Sequence, residues 1–183
     1  MVSTASDREL VASFLAARCE GSFRALYRAH TPYLLCLAIR LSGGRRDEAE
    51  EAVQEAWIRA VERLGGFEER SRLRTWLAGF VINCCREQRR RRPTVPAAAE
   101  AAAAVPAAVS ASPGARVDLE RLVTALPDGQ REVLVLHDLE GYTHSEIGAR
   151  LGIAPGTSKS RLFEARGRLR RWLDCGVIAG ERR

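Results

Sequence analysis

Basic side chains concentrate near the C-terminal end of the chain, in a pattern suited to binding phosphates and base edges. Residues 148–173 carry seven bases against one acid, whereas residues 117–146 carry seven acids against two bases. Six of the seven bases are arginines, and guanidinium groups pair in a bidentate manner with phosphate and guanine. A solvated basic helix face is the simpler alternative. The charge block makes this segment a candidate nucleic-acid-binding element.

A helical wheel divides this candidate element into two faces. The face predicted to point into the core holds Ser158, Leu162, Ala165, Leu169 and Leu173. A recognition helix reads bases with its N-terminal residues, Arg pairing with guanine acceptors and Glu with the cytosine amino group. The candidates for base edges are therefore Thr157, Ser160, Arg161 and Glu164, with Arg168 and Arg171 further along the same outward face. Lys159, Arg166 and Arg170 flank the core stripe and are better placed for phosphates.

The residues before this helix carry the start and stop signals of a helix-turn-helix. Thr143 and Glu146 form a capping box for a short helix, Gly152 supplies its C-terminal turn, and Pro155 can open the next helix. Upstream, one helix is predicted to stop at Pro127 and another to span residues 130–139. A short helix, a glycine turn and a longer basic helix are typical of the helix-turn-helix motif.

An acidic stretch in the first half of the chain is a second candidate site. Residues 47–55 hold five acids among nine residues, more than the dipole of a helix N-terminus requires. An acidic surface suits a basic protein partner rather than DNA. The same half ends in a basic block, residues 86–92, which can contact DNA or compensate the dipole of a helix C-terminus.

Four helices are predicted to position these residues. They are a helix capped by Ser6 with Glu9, a helix from about Ser22 to Gly43 with a kink or break at Thr31-Pro32, a helix capped by Asp47, and a helix from about Ser71 to Arg92. Apolar residues recur at helical spacing throughout, and no alternating strand pattern occurs. The fold class predicted for this half is all-α.

Residues 93–116 separate the two halves. They contain four of the seven prolines and eleven alanines, with no aromatic residue, Leu or Ile. Too little apolar surface is available there to offset the entropy of ordering the chain, so the segment is predicted to be a flexible linker. The expected architecture is two small helical domains, residues 1–92 and 117–183, joined by this linker.

Composition excludes several classes of function. The apolar stretches of the 183 residues are too short for a membrane span, and the first residues lack the blocks of a signal peptide, so we expect a cytoplasmic protein without membrane insertion. The five cysteines show neither metal-ligand spacing nor a disulfide framework. The three histidines are scattered, and no phosphate loop or nucleophile elbow occurs. No enzyme, metal or cofactor is therefore expected.

Three sequence motifs, taken in their order along the chain, point to a known protein family. The sequences EAEEAVQEAW at residues 48–57, RTWL at 74–77 with Asn83, and GYTHSEI at 141–147 followed by GTSKSRL at 156–162 resemble those of extracytoplasmic-function (ECF, group IV) RNA polymerase sigma factors. These are small two-domain bacterial transcription initiation factors. The resemblance covers nearly the whole chain except the linker and the two tails.

The resemblance implies partners and a role for each domain. A sigma region 2 bundle would bind core RNA polymerase through Glu50, Glu51, Gln54 and Glu55. It would also open the minus-ten element and hold an unstacked nontemplate base, with contacts from Phe67, Arg70, Arg72, Arg74, Trp76, Asn83 and Arg86. A region 4 helix-turn-helix would read the minus-thirty-five element as duplex through Thr157, Lys159, Ser160, Arg161, Glu164 and Arg168. An anti-sigma factor is a common further partner in the family, but no residue here specifies one.

Two other classes of function compete with this one. A stand-alone helix-turn-helix regulator would bind a palindromic operator as a dimer, and an enzyme would need the catalytic motifs that the sequence lacks. Departures from the family pattern include Ser158, where Val is common, and Glu164, where a basic residue is frequent. The promoter sequence of relatives therefore cannot be carried over to this chain.

Overall fold

The computed structural model describes residues 4–91 and 119–181, and it describes side chains within residues 7–91 and 119–174. These residues form helices and turns with no strand among them, which confirms the all-α prediction. They divide into two compact units, residues 4–39 with 46–91 and residues 40–45 with 119–181. The predicted linker, residues 93–116, lies outside the described residues.

The first unit is built from helices α1 (Thr4–Ala17), α2 (Glu20–Leu41), α3 (Arg46–Arg63) and α4 (Leu73–Arg91), with a 3₁₀ turn at Leu64–Gly66. Its core collects the apolar faces of these helices, as the 3.6-residue spacing predicts. The largest of its side chains that are almost completely buried are Leu26, Leu34, Leu37, Leu73, Leu77 and Val81. The helix α3 packs extensively on α4, and this pair carries both candidate surfaces of the unit.

Several predicted boundaries in this unit are wrong. The helix α1 begins at Thr4, so Ser6 lies inside it and is not its cap. The helix α2 begins at Glu20 and continues through Pro32, so of the two predicted alternatives the break does not occur. A proline costs one backbone hydrogen bond, and burial of Leu34 and Leu37 in the next turn compensates for that loss. The helix α3 begins at Arg46, which places Asp47 in its first turn rather than at the cap.

The second unit contains α5 (Leu119–Thr124), α6 (Asp128–Leu134), α7 (His144–Leu151) and α8 (Pro155–Glu181). A π-helical turn, Val135–Leu139, continues α6. The predicted signals around α7 are confirmed: Thr143 and Glu146 form the capping box, and Gly152 ends the helix in the left-handed conformation at φ 64°. Pro155 opens α8, which continues past the predicted end near Leu173.

One core residue of α8 was assigned wrongly from the sequence. Ser158, Leu162, Ala165 and Leu169 are buried as the wheel predicts, but Trp172 is buried whereas Leu173 is half-exposed. The two residues lie on opposite edges of the stripe, and the larger indole ring covers more apolar surface than Leu can.

No helix within the described ranges contains an 18-residue stretch apolar enough to cross a membrane.

Candidate nucleic-acid interface and docking helix

The geometry of the helix-turn-helix depends on a close approach between α7 and the turn after it. The capping box holds the start of α7, with Glu146 Oε2 accepting from the Thr143 backbone N–H at 2.8 Å. A Cβ added to Gly148 would lie 2.8 Å from the carbonyl oxygen of Ile153. Only glycine fits without a shift of the backbone, so Gly148 sets the approach of α7 to the segment that leads into α8.

The outward face of α8 is solvent-accessible over its first turns. Thr157, Lys159, Ser160 and Glu164 are exposed, and Arg161 and Arg168 are half-exposed. The Ser160 hydroxyl donates to the carbonyl of Gly156, one turn earlier, at 3.1 Å. The helix therefore presents all six predicted minus-thirty-five residues on its accessible surface, with Ser158 completely buried beneath them.

Three of the polar side chains on α8 are held by other elements of the same unit. The Arg161 guanidinium packs against Gly129, where an added Cβ would lie 3.1 Å from Arg161 Cζ. Glu164 Oε2 accepts from Gln130 Nε2 at 3.0 Å. Arg166 donates to both carboxylate oxygens of Asp138, at 3.1 and 2.6 Å. Arg166 is therefore ion-paired within the protein, a contact that the sequence did not indicate.

A polar cluster forms behind this face, between the π turn, α7 and α8. The rings of His137 and His144 stack with centroids 4.6 Å apart, and His137 Nδ1 lies 2.8 Å from Asp138 Oδ1. Burial opposes ionisation of Asp138, but hydrogen bonds from Arg166 and His137 lower the pKa of this carboxyl. Burial, the neighbouring His137 ring and the cationic side chains of Lys159 and Arg166 lower the pKa of His144.

The four predicted docking residues lie along α3. Glu50, Glu51 and Gln54 are exposed and Glu55 is half-exposed. Glu50 accepts from Arg46, one turn earlier, at 2.8 Å. Glu51 and Gln54 are the two members of the set that take no part in an ion pair of the described residues, which leaves their polar groups available to a partner.

Glu55 belongs to an ion-pair network that joins α3 to α4. Arg59 Nε donates to Glu55 at 2.8 Å, and its two terminal nitrogens donate to Glu87 at 2.9 and 2.8 Å. The hydrogen bond from Arg59 lowers the pKa of Glu87. Beneath the network, burial raises the pKa of the Cys84 thiol to about 11. Arg59 stands four residues after Glu55, a spacing that predicts an ion pair between them on one helix. The pair between Arg59 and Glu87 joins two helices and cannot be predicted from local spacing.

An open apolar groove borders the same helix. It has a volume of about 530 Å³, and its apolar lining consists of Phe14, Phe23, Tyr27, Trp57, Ile58 and Val61. Ile58 is 59% exposed, and Trp57 Nε1 donates to Thr31 Oγ1 at 3.0 Å. Gln54 and Glu62 are the polar residues of its lining. Acidic and apolar surface therefore occur side by side on α3.

The predicted minus-ten residues occupy the loop before α4 and one face of that helix. Phe67, Trp76 and Phe80 form an aromatic ladder, with ring centroids 5.4 and 4.7 Å apart. Asn83 is exposed and continues the face of Trp76 and Phe80, since residues three and four apart share a helix face. Of the predicted arginines, Arg70 pairs with Glu68, Arg74 lies over the Tyr33 ring, Arg72 is exposed, and Arg86 is half-exposed.

Side chains of α1 also lie against the loop before α4, an arrangement that the sequence did not indicate. A cavity of about 260 Å³ lies between Asp7 and Arg8 of α1 and the loop residues around Phe67 and Arg70. Arg8 Nε lies 2.6 Å from a carboxylate oxygen of Glu69. Glu69 has a φ of 55°, a conformation that costs a non-glycine residue free energy and that the ion pair with α1 helps to maintain.

A helix-turn-helix with a basic outward face is typical of DNA-binding proteins, and the acidic helix of the other unit is a candidate surface for a protein partner. Two family models match the chain, Sigma-70 region 2 over residues 26–93 and Sigma-70, region 4 over residues 116–169. Both belong to the sigma-70 class of transcription factors.

Comparison with individual relatives identifies a subgroup within the sigma-70 class. The chain is 33% identical over 175 residues to the ECF RNA polymerase sigma factor SigM of Mycobacterium tuberculosis, covering 94% of this chain and 88% of the relative. It is 34% identical over 146 residues to the ECF RNA polymerase sigma factor EcfG of Rhodopseudomonas palustris, covering 77% and 79%. The chain belongs to the ECF RNA polymerase sigma factors.

Two solved structures are similar in fold. One is the sigma factor RpoE in complex with the anti-sigma factor NepR from Bartonella quintana, with 28% identity, a TM-score of 0.58 and coverage of 83% of this chain and 96% of that one. The other is CnrH in complex with the cytosolic domain of CnrY, with 25% identity, a TM-score of 0.56 and coverage of 92% and 97%.

Proposed function

We propose that this ECF sigma factor, a member of group IV, binds core RNA polymerase through α3 and directs it to specific promoters. The helix α8 reads the minus-thirty-five element as duplex, while the loop before α4 and the outward face of α4 open the minus-ten element and hold a nontemplate base. The domains that carry these roles are residues 1–92 and 117–183, joined by residues 93–116. The protein acts in the cytoplasm as an initiation factor, without a catalytic group or cofactor.

The observation that carries this proposal is the division of charge between the two units. Gln54 lines an open apolar groove, and Glu51 is exposed three residues earlier on the same helix, a combination typical of a protein interface with an apolar centre and a polar rim. Lys159 and Arg161 lie on the accessible face of a recognition helix, where positive charge favours DNA. One surface therefore suits a protein partner and the other suits a promoter.

A stand-alone regulator is not favoured. Such a protein would dimerise to match a palindromic operator, and its DNA binding would be independent of polymerase. It would not need an acidic helix beside an apolar groove. An anti-sigma factor is a further proposed partner, supported by the complex of the similar sigma factor RpoE with NepR.

The test is reconstitution of the full chain with core RNA polymerase, followed by gel filtration and run-off transcription from a library of promoters. We expect the chain to elute with the core enzyme and to start transcription at a defined subset of promoters. Binding of a palindromic site by the chain alone, with no association with core enzyme, would establish the stand-alone regulator instead.

A further inference from the structure

Two side chains of the DNA-reading face of α8 lie against the first turn of α6. The Arg161 guanidinium packs on Gly129, and Glu164 accepts a hydrogen bond of 3.0 Å from Gln130. The amide oxygen of Gln130 is buried, and its amide nitrogen is directed at the carboxylate. Gln130 and Glu164 stand 34 positions apart, so the contact exists only in the folded unit.

This contact changes what an exposed glutamate can do. Glu164 is exposed, and a glutamate side chain without a partner samples many rotamers, each of which must be lost when it binds a base. The amide of Gln130 occupies Oε2 and leaves Oε1 as an acceptor. The free oxygen can accept from the cytosine amino group, whereas bases that present only acceptors at this edge are disfavoured.

We propose that Gln130 is a positioning residue that orients Glu164 to read a cytosine in the minus-thirty-five element. This inference depends on the proposed function, since it assumes that α8 reads a promoter. The hydrogen bond is not needed to hold α6 on α8, because each helix already contributes apolar side chains to the core. These are Val133 and Leu134 from α6 and Leu162 and Ala165 from α8.

The experiment measures base preference with the full chain bound to core RNA polymerase. Holoenzyme is mixed with a duplex library that is randomised in the minus-thirty-five and minus-ten segments, and the bound fragments are sequenced. Wild-type protein should prefer cytosine at one minus-thirty-five position, and Glu164→Ala should abolish that preference. Gln130→Met, which keeps the length of the side chain and removes the donor, should lower the preference about three- to tenfold at that position alone.

A double-mutant cycle separates positioning from a structural role. Gln130→Met should have no further effect on base preference in the Glu164→Ala background, because the group that it orients is gone. A uniform loss of affinity at every position, or the same loss in both backgrounds, would overturn the proposal. So would an unchanged cytosine preference in Gln130→Met when wild-type holoenzyme selects promoters normally. If wild-type holoenzyme selects no sequence, the proposed function itself fails and this inference fails with it.

Discussion

His144 Nδ1 and Ser158 Oγ are hydrogen-bonded at 2.9 Å, and this bond joins the first helix of the helix-turn-helix to the recognition helix. Ser158 is completely buried, so its hydroxyl needs a partner inside the protein. This chain therefore uses a buried polar contact, in addition to apolar packing, to fix α8 on α7.

Replacement of Ser158 by Ala tests the energetic contribution of this contact. The substitution removes one buried hydrogen bond and should lower the free energy of unfolding by about 1 kcal/mol. Chemical denaturation monitored by circular dichroism measures the loss. Ser145→Ala, at an exposed position of α7, is the matched control and should change stability by less than about 0.5 kcal/mol. Equal losses in the two variants would show that the contact contributes nothing specific.

The docking proposal predicts a charge-dependent affinity for core polymerase. Glu51→Arg should weaken binding by at least about tenfold, because a like charge would face a basic partner. Glu55 is a poorer probe, since its replacement also disturbs Arg59 and Glu87. Affinity is measured by titration of labelled chain with core enzyme. Glu9→Arg, an exposed acid on α1, makes the same charge change elsewhere and should bind as wild type does; identical affinities for both variants would contradict the docking site.

Asn83 is the sharper probe of promoter opening. It is exposed on α4, so Asn83→Ala leaves the core intact, whereas Trp76 packs between Phe67 and Phe80 and its loss would cost stability. Asn83→Ala should slow open-complex formation on duplex promoter more than it weakens binding to a pre-melted template. Permanganate footprinting follows the first quantity and filter binding the second. An equal effect of Asn83→Ala on the duplex and the pre-melted template would contradict a role of Asn83 in promoter opening.

Arg161 and Lys159 should differ in how they bind DNA. Arg161→Ala should lower affinity by about 1 to 3 kcal/mol at one promoter position and relax preference there. Lys159→Ala should weaken binding to all promoters alike and reduce the salt dependence of the affinity by about one phosphate contact. Holoenzyme binding to a promoter library at several salt concentrations separates the two effects. The reverse pattern would mean that the base-reading and phosphate-binding residues of α8 are exchanged.

His30 gives the first unit a pH dependence with a defined sign. Burial lowers the pKa of His30 from 6.5, against the opposing charge of Asp7, and Arg74 lowers it further. The unfolded chain therefore binds a proton more readily, so the stability that this residue contributes is complete above a pH of about 6.5 and is lost as the pH falls through the folded-state pKa. Denaturation of wild type and His30→Gln at several pH values checks this: the variant should lose less stability on acidification. An identical decline in both proteins would rule out His30 as the cause.

The sequence predicted the elements whose signals are local and missed those that depend on tertiary contacts. The capping box of Thr143 and Glu146 was predictable because both partners lie within one turn. The passage of α2 through Pro32 was not, because burial of neighbouring residues overrides the local cost of proline.

The candidate surfaces likewise combine features that local sequence predicts with contacts that only the fold creates. The wheel identified the exposed outward face of α8, since periodicity sets which residues share a face, but it placed Leu173 rather than Trp172 in the core. It could not reveal that Arg166 binds Asp138, that Arg59 binds Glu87, or that Gln130 binds Glu164. Each of these contacts joins residues from different helices or turns, and only the folded chain brings them together.

The π-helical turn at Val135–Leu139 makes the second unit sensitive to changes in chain length. A π turn holds one residue more than an α turn, so deletion of one residue there would restore a regular helix and rotate the adjoining residues by about 100°. Asp138 would then turn away from Arg166, and His137 would turn away from His144. A single-codon deletion in this segment would therefore be far more harmful than most substitutions at its exposed positions.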